Sequence, residues 1–241
     1  MPTVLNKEIV AILNRSLEHG WVMEPEAKRL FQLAGLPVPR FVWARDVSQA
    51  RAGAAEIGYP LVAKVVSPSV VHKSEVRGVA VGVADDEELG SFFQRMSRLP
   101  DFSGILIEEM VTGHELIVGS KADYQFGLVL LLGIGGTAVE VYGDVAIRMA
   151  PLTAEDALSM LDGLKGGKLL AGYRGKPGIN RQKLVEFLLG FSELLGEISS
   201  FVESVDLNPL LCSEQGCVIA DARIMLDARF RPEKEKEPNV R

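Results

Sequence analysis

The second half of the chain contains a series of short strand-like segments, each separated from the next by only a few turn residues. Connections this short cannot hold the crossover of a dozen or more residues that parallel neighbours require. The segments must therefore pair as hairpins in antiparallel sheets, which excludes a doubly wound parallel fold. The predicted strands of this series are 104–111, 114–122, 127–133, 138–142 and 144–150.

Helices and strands alternate in the first half, and two further helices and a hairpin follow the strand series. Apolar residues at helical spacing, with cap residues such as Thr153 and Asn180 and a glycine at Gly35, mark the helices. The mixture predicts an α+β fold. The predicted helices are 4–19, 25–34, 46–57, one starting at Asp85, 153–162 and 180–199; the other strands are 40–44, 61–67, 78–83, 201–211 and 217–226.

Charge and composition narrow the class of protein. The chain has 26 basic and 32 acidic residues, a net charge of -6, which argues against nucleic-acid binding but permits a local basic pocket. The N-terminus carries charges inside its apolar pattern, and no apolar run reaches the roughly 18 residues of a membrane span. We therefore predict a cytoplasmic protein that does not bind membranes. Cys212 and Cys217 lack companion histidines, so we expect reduced structural thiols rather than a zinc site.

Lys64 lies in the middle of an apolar strand, "LVAKVVS". A lysine is costly to bury without a partner, so two interpretations are open. Either the strand lies at a sheet edge with Lys64 in water, or Lys64 points into a cleft and binds a phosphate. The chain contains no G-x-x-x-x-G-K-[ST] sequence, which excludes a P-loop as the phosphate site.

The segments around Lys64 decide between these interpretations. "IGYPLVAKVV" and "EEMVTGHE" resemble two signatures of the ATP-grasp superfamily. The resemblance implies two α+β subdomains with mainly antiparallel sheets and ATP or ADP bound between them. It also assigns Lys64 to the phosphates, Glu115 to the ribose hydroxyls, and the adenine to Glu108, Glu109 and Val111. Arg148 in "IRMAPL" either reaches a phosphate or pairs on a sheet face.

A third signature, "DLNPLL" followed by "ADAR", predicts a magnesium site. Asn208 and Asp221 lie on adjoining strands of one hairpin, so their side chains can converge. Mg²⁺ needs only one or two protein oxygen ligands when nucleotide phosphates supply others. Asp206 lies two residues before Asn208 and therefore shares its face of the strand.

The longer stretch "GYPLVAKVVSPSVVHKSEVRGVAVGV" closely resembles the ATP-grasp β subunit of ADP-forming acyl-CoA synthetases. "APLTAEDAL", "QFG", "GIGGTAVEV" and "DLNPLL...ADARI" match the same family in order, from about residue 23 to 226. The resemblance implies that His72, in loop 67–78, carries a phosphoryl group between ADP and a CoA-binding α subunit. It implies that Asp206 supports this histidine and that the assembly is an α2β2 heterooligomer. In this family a glycine usually stands at the position of Arg77.

This resemblance sets the predicted domain boundaries: an N-terminal helix at 1–22, one subdomain at 23–101, a second at 102–226 and a charged tail at 227–241. Two other functions remain open. The chain could be a catalytically silent nucleotide-sensing module, or a stand-alone ATP-grasp ligase that makes an acyl phosphate. Retention of His72, Lys64, Asn208 and Asp221 argues against the first, and the "HKS" loop argues against both.

Overall fold

The computed structural model describes residues 6–136, 143–173, 175 and 177–230. The predicted strand 138–142 and most of the predicted charged tail lie outside these residues. The strands form a four-stranded and a seven-stranded sheet. They are β1 (Trp21–Val22), β2 (Phe41–Ala44), β3 (Leu61–Val66), β4 (Val79–Val83), β5 (Gly104–Glu109), β6 (His114–Asp123), β7 (Gly127–Ile134), β8 (Val145–Met149), β9 (Val202–Cys212), β10 (Cys217–Ile219) and β11 (Ala222–Leu226).

Five of the described helices begin at a residue whose side chain caps the first turn. Asn6, Asp46, Asp85 and Asn180 each accept a hydrogen bond from a backbone N–H of the first turn, and Thr153 forms a capping box with Asp156. The helices are α1 (Lys7–Ser16), α2 (Glu24–Leu33), α3 (Val47–Ile57), α4 (Asp86–Met96), α5 (Ala154–Gly163), α6 (Gly167–Leu170) and α7 (Arg181–Ile198), with 3₁₀ turns at Lys73–Val76 and Ala228–Phe230. Within the described ranges, no helix is both long and apolar enough to cross a membrane.

The four-stranded sheet has the order β2-β5-β3-β4, and every pair is antiparallel. Alternate residues of β3 and β5, such as Ala63 and Ile107, pack against α3 and α4 in one apolar core. Because side chains alternate across a strand, Lys64 and Glu108 point to the opposite face. That face is turned towards the second sheet and forms a wall of the cleft described below.

The larger sheet has the order β1-β11-β9-β6-β7-β8, with β10 also paired to β9. Its pairs are antiparallel as well, as the short connections predicted. Helices α1, α2, α5 and α7 contribute to its apolar core, in which Phe31 and Phe191 are fully buried.

Two predicted domain boundaries need correction. Strand β5 belongs to the four-stranded sheet, so the first sheet extends to Glu109 and does not end near residue 102. Helix α1 is not a separate element, because it packs with α2 into the core of the larger sheet and β1 pairs with β11. The body of the larger sheet therefore combines the N-terminal segment with residues after Glu109, whereas the four-stranded body is one contiguous range from β2 to β5.

Candidate active site

A cleft between the two sheets collects most of the residues predicted to bind nucleotide. Its volume is about 450 Å³. Strands β3, β4 and β5 form one wall, β9 and the β10–β11 connection form the other, and linker 110–113 joins them. The predicted residues that line it are Lys64, Glu108, Glu109, Val111, Glu115, Asn208 and Asp221.

A larger groove of about 740 Å³ lies beside the same linker. Its lining includes Lys183, Phe187 and Cys217, but it contains neither Lys64 nor Asp221. It therefore lacks the predicted phosphate and metal ligands, and the smaller cleft is the candidate site. Cys217 faces Cys212 across the β9–β10 pair, and both thiols are free and buried.

Six charged side chains meet at the base of the cleft, and we call them the lysine–carboxylate cluster. Three ammonium groups face three carboxylates, so the formal charges of the cluster cancel. Two members lie on α2, two on strands β3 and β5 of the four-stranded sheet, one in the loop after β3 and one in the β10–β11 connection, so the cluster ties the two bodies together. Its members are Glu24, Lys28, Lys64, Lys73, Glu108 and Asp221.

Lys64 is buried in the cluster rather than exposed at a sheet edge. Its strand, β3, lies inside the sheet between β5 and β4. The Lys64 Nζ atom lies 2.6 Å from Glu24 Oε1 and 2.9 Å from Glu108 Oε2, and it also donates to the carbonyl of Ala220. The alternative of a water-facing lysine is therefore wrong. Glu108 is buried as well.

Lys28 is a cluster member that the sequence analysis did not identify. It is completely buried, with Nζ 2.7 Å from Glu108 Oε1 and hydrogen bonds of 3.0 and 2.8 Å to the carbonyls of Ile219 and Ala220. A signal was present, because Lys28 stands four residues after Glu24 and three before Phe31, on the apolar face of α2. A lysine on a buried helix face needs a partner of opposite charge.

Glu24 is the centre of the cluster, since its carboxylate contacts all three lysines. Burial alone would raise the pKa of Glu24, but Lys64, Lys73 and Lys28 outweigh it and hold the pKa well below its usual range. Burial likewise opposes the charge of Lys64, yet Glu24 and Glu108 raise the pKa of Lys64 overall. For Lys28, burial and the repulsion of Lys64 prevail and lower the pKa. For Glu24 and Lys64, the opposite charges of the cluster thus outweigh the cost of burial, whereas for Lys28 they do not.

The loop that carries His72 is folded into a compact turn. His72 is exposed and precedes the 3₁₀ turn Lys73–Val76, and the N–H of Gly78 donates to the carbonyl of Lys73 at 2.7 Å. A Cβ atom on Gly78 would lie 2.5 Å from a methyl group of Val65, so this position requires glycine. His72 does not line the cleft, but its neighbour Lys73 reaches into the cluster.

Arg77 adopts the left-handed backbone conformation, with φ at 50°. This conformation is favourable for glycine and costs other residues roughly 1–2 kcal/mol. This backbone conformation explains why the family usually has glycine at this position. Arg77 adopts the same conformation, but with a cost in backbone free energy. The Arg77 side chain is exposed, and its carbonyl accepts a hydrogen bond from Arg95.

The predicted metal ligands lie on the hairpin as expected. Asn208 and Asp206 occupy the same face of β9, opposite the buried face that contains Leu207. Asp221 lies in the β10–β11 connection with its side chain 39% exposed, and burial and the Glu24 carboxylate raise its pKa. Because its surroundings disfavour the ionised carboxylate, an added cation would stabilise it.

These oxygens suit a metal that arrives with a nucleotide. Among the described residues, no group of three or more His, Cys, Asp and Glu side chains could hold a metal by itself. Asn208 and Asp221 together supply the one or two oxygen ligands that Mg²⁺ uses alongside phosphates.

Three predicted site residues do not line the cleft: His72, Asp206 and Arg148. Asp206 faces Arg223 across the β9–β11 pair, with 3.3 Å between Oδ2 and Nη2. Arg148 donates to Ser159 Oγ at 2.6 Å on α5 and to the carbonyl of Ile147. These contacts favour the structural alternative for Arg148 over a phosphate contact.

The end of the cleft near linker 110–113 has exposed backbone and two glutamates. The Glu109 carboxylate accepts hydrogen bonds from the backbone N–H and the guanidinium of Arg40, so its side chain is already engaged. Glu115 is exposed, and Gly135 lies so close to it that a Cβ atom there would be 2.9 Å away. Within the described part of the chain, no hydrogen bond or ion pair engages the Glu115 carboxylate. It is therefore the glutamate at this end that can accept hydrogen bonds from a ligand.

Two antiparallel sheets that enclose a cleft with a buried strand lysine at its base define the ATP-grasp class of nucleotide-binding folds. The profile of the ATP-grasp domain family matches residues 14–226, and the chain belongs to this family. The predicted fold and the resemblance are both confirmed.

Named relatives make the likeness more specific. The β subunit of acetate–CoA ligase [ADP-forming] I from Pyrococcus furiosus is 38% identical over 217 residues, which cover 87% of this chain and 93% of that subunit. The 4-hydroxybutyrate–CoA ligase [ADP-forming] of Nitrosopumilus maritimus is 37% identical over 215 residues, covering 85% of this chain and 31% of that longer protein.

A solved structure has the same architecture. It is the dinucleotide-forming acetyl-coenzyme A synthetase 1 of Ca. Korarchaeum cryptofilum in complex with coenzyme A and Mg-AMPPCP. The TM-score is 0.80 at 33% identity, and the match covers 91% of this chain and 100% of that chain. In that structure the phosphohistidine segment points towards the nucleotide-binding site.

Proposed function

We propose that this chain is the nucleotide-binding β subunit of an ADP-forming acyl-CoA synthetase, an acid–thiol ligase. In the overall reaction, acyl-CoA, ADP and phosphate are converted reversibly to the acid, ATP and CoA. One observation carries the proposal: the loop that bears His72 is joined to the nucleotide cleft through Lys73, whose Nζ lies 2.9 Å from Asp221 Oδ1. A phosphoryl carrier must reach the nucleotide, and this contact keeps its loop beside that site.

His72 is the proposed carrier. In the direction of ATP use, a neutral ring nitrogen attacks the γ-phosphorus, an N–P bond forms, and the bond to the ADP oxygen breaks. In the direction of ATP synthesis, the ADP oxygen takes the phosphoryl group and the imidazole leaves in its neutral form. Asp206 supports this histidine by orienting the ring and stabilising the charge that forms during transfer.

The cleft residues bind and neutralise the nucleotide. Lys64 binds the phosphates when they displace one of its carboxylate partners, while Glu108, Glu109 and Val111 frame the adenine and Glu115 binds the ribose. Asn208 and Asp221 would hold Mg²⁺, which, when bound, spreads the negative charge that develops on the transferring group.

The partner is proposed to be a separate CoA-binding α subunit in an α2β2 assembly. The P. furiosus relative is named as a subunit, and the N. maritimus relative is a single chain about three times as long as the matched segment. Light scattering of this chain, with and without a CoA-binding subunit of the family, would give the stoichiometry. A mass that stays at that of the isolated chain would exclude the assembly.

The test of the carrier is labelling with γ-³²P ATP and Mg²⁺. Label should survive at alkaline pH and disappear in acid, because phosphohistidine is acid-labile. His72→Ala should abolish it while nucleotide binding persists, and His19→Ala, which changes an exposed histidine on another part of the chain, should label normally.

The assay is run with and without the CoA-binding subunit, since the loop can depend on it. Label on the His72→Ala protein, or no label even in the complex, would refute the carrier. Nucleotide binding without label would identify a nucleotide-sensing module, and acyl phosphate made by the isolated chain would identify a stand-alone ligase.

A further inference from the structure

We propose that Lys73 and Glu24 dock the loop that carries His72, and that Glu24 keeps the loop docked when a metal occupies Asp221. Lys73 and Glu24 are positioning residues, since neither reacts. The inference deepens the proposed function, because the loop matters for the reaction only if His72 is the carrier. The docking itself is a property of the described contacts.

Lys73 anchors the His72 segment of the loop to the base of the cleft. It directly follows His72, and its Nζ lies 2.9 Å from Glu24 Oε2 and 2.9 Å from Asp221 Oδ1. The Lys73 side chain is 13% exposed, whereas the neighbouring loop residues His72, Ser74 and Glu75 are exposed. The loop thus reaches the base of the cleft chiefly through this one ammonium group. Two charge-assisted contacts hold it there.

The two carboxylates that hold Lys73 differ in their accessibility to a metal ion. Asp221 is partly exposed and lines the cleft, so an incoming cation can reach it. Glu24 is 2% exposed, does not line the cleft, and is already in contact with Lys28 and Lys64. A metal can therefore displace Lys73 from Asp221 but not from Glu24.

The contact between Lys73 and Glu24 therefore persists when metal and nucleotide bind. Metal and nucleotide would release one of the two Lys73 contacts and leave the other, so the loop stays beside the nucleotide during transfer. With Glu24 alone the hold is weaker than with both carboxylates, which suits a loop that must later leave. Without Glu24, metal binding would remove the last contact of Lys73 and release the His72 segment from the base of the cleft.

Hydrogen exchange of the loop amides tests this inference directly. The amides of Glu75, Arg77 and Gly78 donate hydrogen bonds within the turn, and their exchange reports whether the turn stays docked. Exchange is measured by mass spectrometry in three conditions: without ligand, with ADP and EDTA, and with ADP and Mg²⁺. ADP has no transferable γ-phosphoryl group, so the result does not depend on phosphoryl transfer to His72.

The expected patterns differ among variants. Wild type should exchange slowly in all three conditions. Lys73→Gln should exchange about tenfold faster or more in all three, as expected when charge-assisted contacts are lost. Glu24→Gln should remain slow without metal and become about tenfold faster only with Mg²⁺ and ADP. The control Glu75→Gln removes an exposed charge from the same loop and should behave like wild type.

Each alternative result is informative. If Lys73→Gln exchanges as slowly as wild type, Lys73 is not the anchor and the proposal is overturned. If the loop of Glu24→Gln stays protected with Mg²⁺ and ADP, Glu24 does not provide the retained contact. Should Glu24→Gln fail to fold, Asp221→Asn replaces it: its loop must stay protected in all conditions, and release would overturn the proposal. A protected loop with no label on His72 would instead refute only the proposed function.

Discussion

Replacing Lys28 by methionine tests whether the cluster at the base of the cleft stabilises the fold. Methionine approximates the volume of the lysine stem but removes the charge from a side chain that is fully buried. Glu108 Oε1 loses its partner at 2.7 Å, and the carbonyls of Ile219 and Ala220 lose their donor. The cluster is then left with two ammonium groups and three carboxylates.

The magnitude follows from the burial of these groups. Removing one partner of a buried ion pair costs about 3–5 kcal/mol, because the remaining charge is uncompensated. Burial lowers the pKa of Lys28, which means that keeping its ammonium group charged already costs free energy in the folded state. We therefore expect a loss at the lower end of this range, about 3 kcal/mol. For a chain of this size, about 2–4 °C per kcal/mol converts this loss to a fall in Tm of roughly 6–12 °C.

The assay is calorimetric unfolding of wild type, Lys28→Met, and the double variant Lys28→Met with Glu108→Gln. The double variant restores charge balance, so it should lose less stability than the sum of the two single changes. Lys121→Met changes an exposed lysine on β6 and should stay within about 0.5 kcal/mol of wild type. A loss below about 1 kcal/mol for Lys28→Met, or simple additivity in the double variant, would refute the argument.

Further predictions concern the cleft, the loop and the pH dependence. Asp221→Ala should weaken binding of Mg–ADP more than of metal-free ADP in calorimetric titrations, and an equal loss for both would remove Asp221 from the metal site. Glu115→Ala should weaken nucleotide binding by about one to two decades, the value of a charge-assisted hydrogen bond of roughly 1.5–3 kcal/mol, and unchanged affinity would exclude the ribose contact. Arg77→Gly should be about 1 kcal/mol more stable than Arg77→Ala in urea unfolding, since φ at 50° favours glycine; equal stabilities would contradict that conformation. Glu24 has a lowered pKa in the folded state, so its contribution to stability is complete above its unfolded pKa, declines as the pH falls below that value and is fully lost only below the folded pKa. The stability gap between wild type and Glu24→Gln should therefore narrow from pH 7 to pH 4, and a constant gap would be inconsistent with an ionised, paired Glu24.

The sequence by itself determined the strand pairing type, most helix ends and seven of the residues that line the cleft. Short turns allow only antiparallel neighbours, and cap residues such as Thr153 and Asn180 act on the backbone a few residues away. Lys64 could be placed in a cleft because a lysine in an apolar strand needs a partner and the surrounding motif belongs to a known family. These properties are local, or are carried by contiguous motifs.

Only the tertiary structure decided which charges meet. Lys64 and Glu24 are 40 residues apart, and Lys73 and Asp221 are 148 residues apart. Periodicity shows that a residue such as Lys28 lies on a buried helix face, but it does not reveal the group that faces it. For the same reason β5 was assigned to the wrong body, because its pairing with β2 and β3 depends on contacts that no local pattern encodes. A buried charge is stabilised by its partners, and those partners are chosen by the packing of the two sheets.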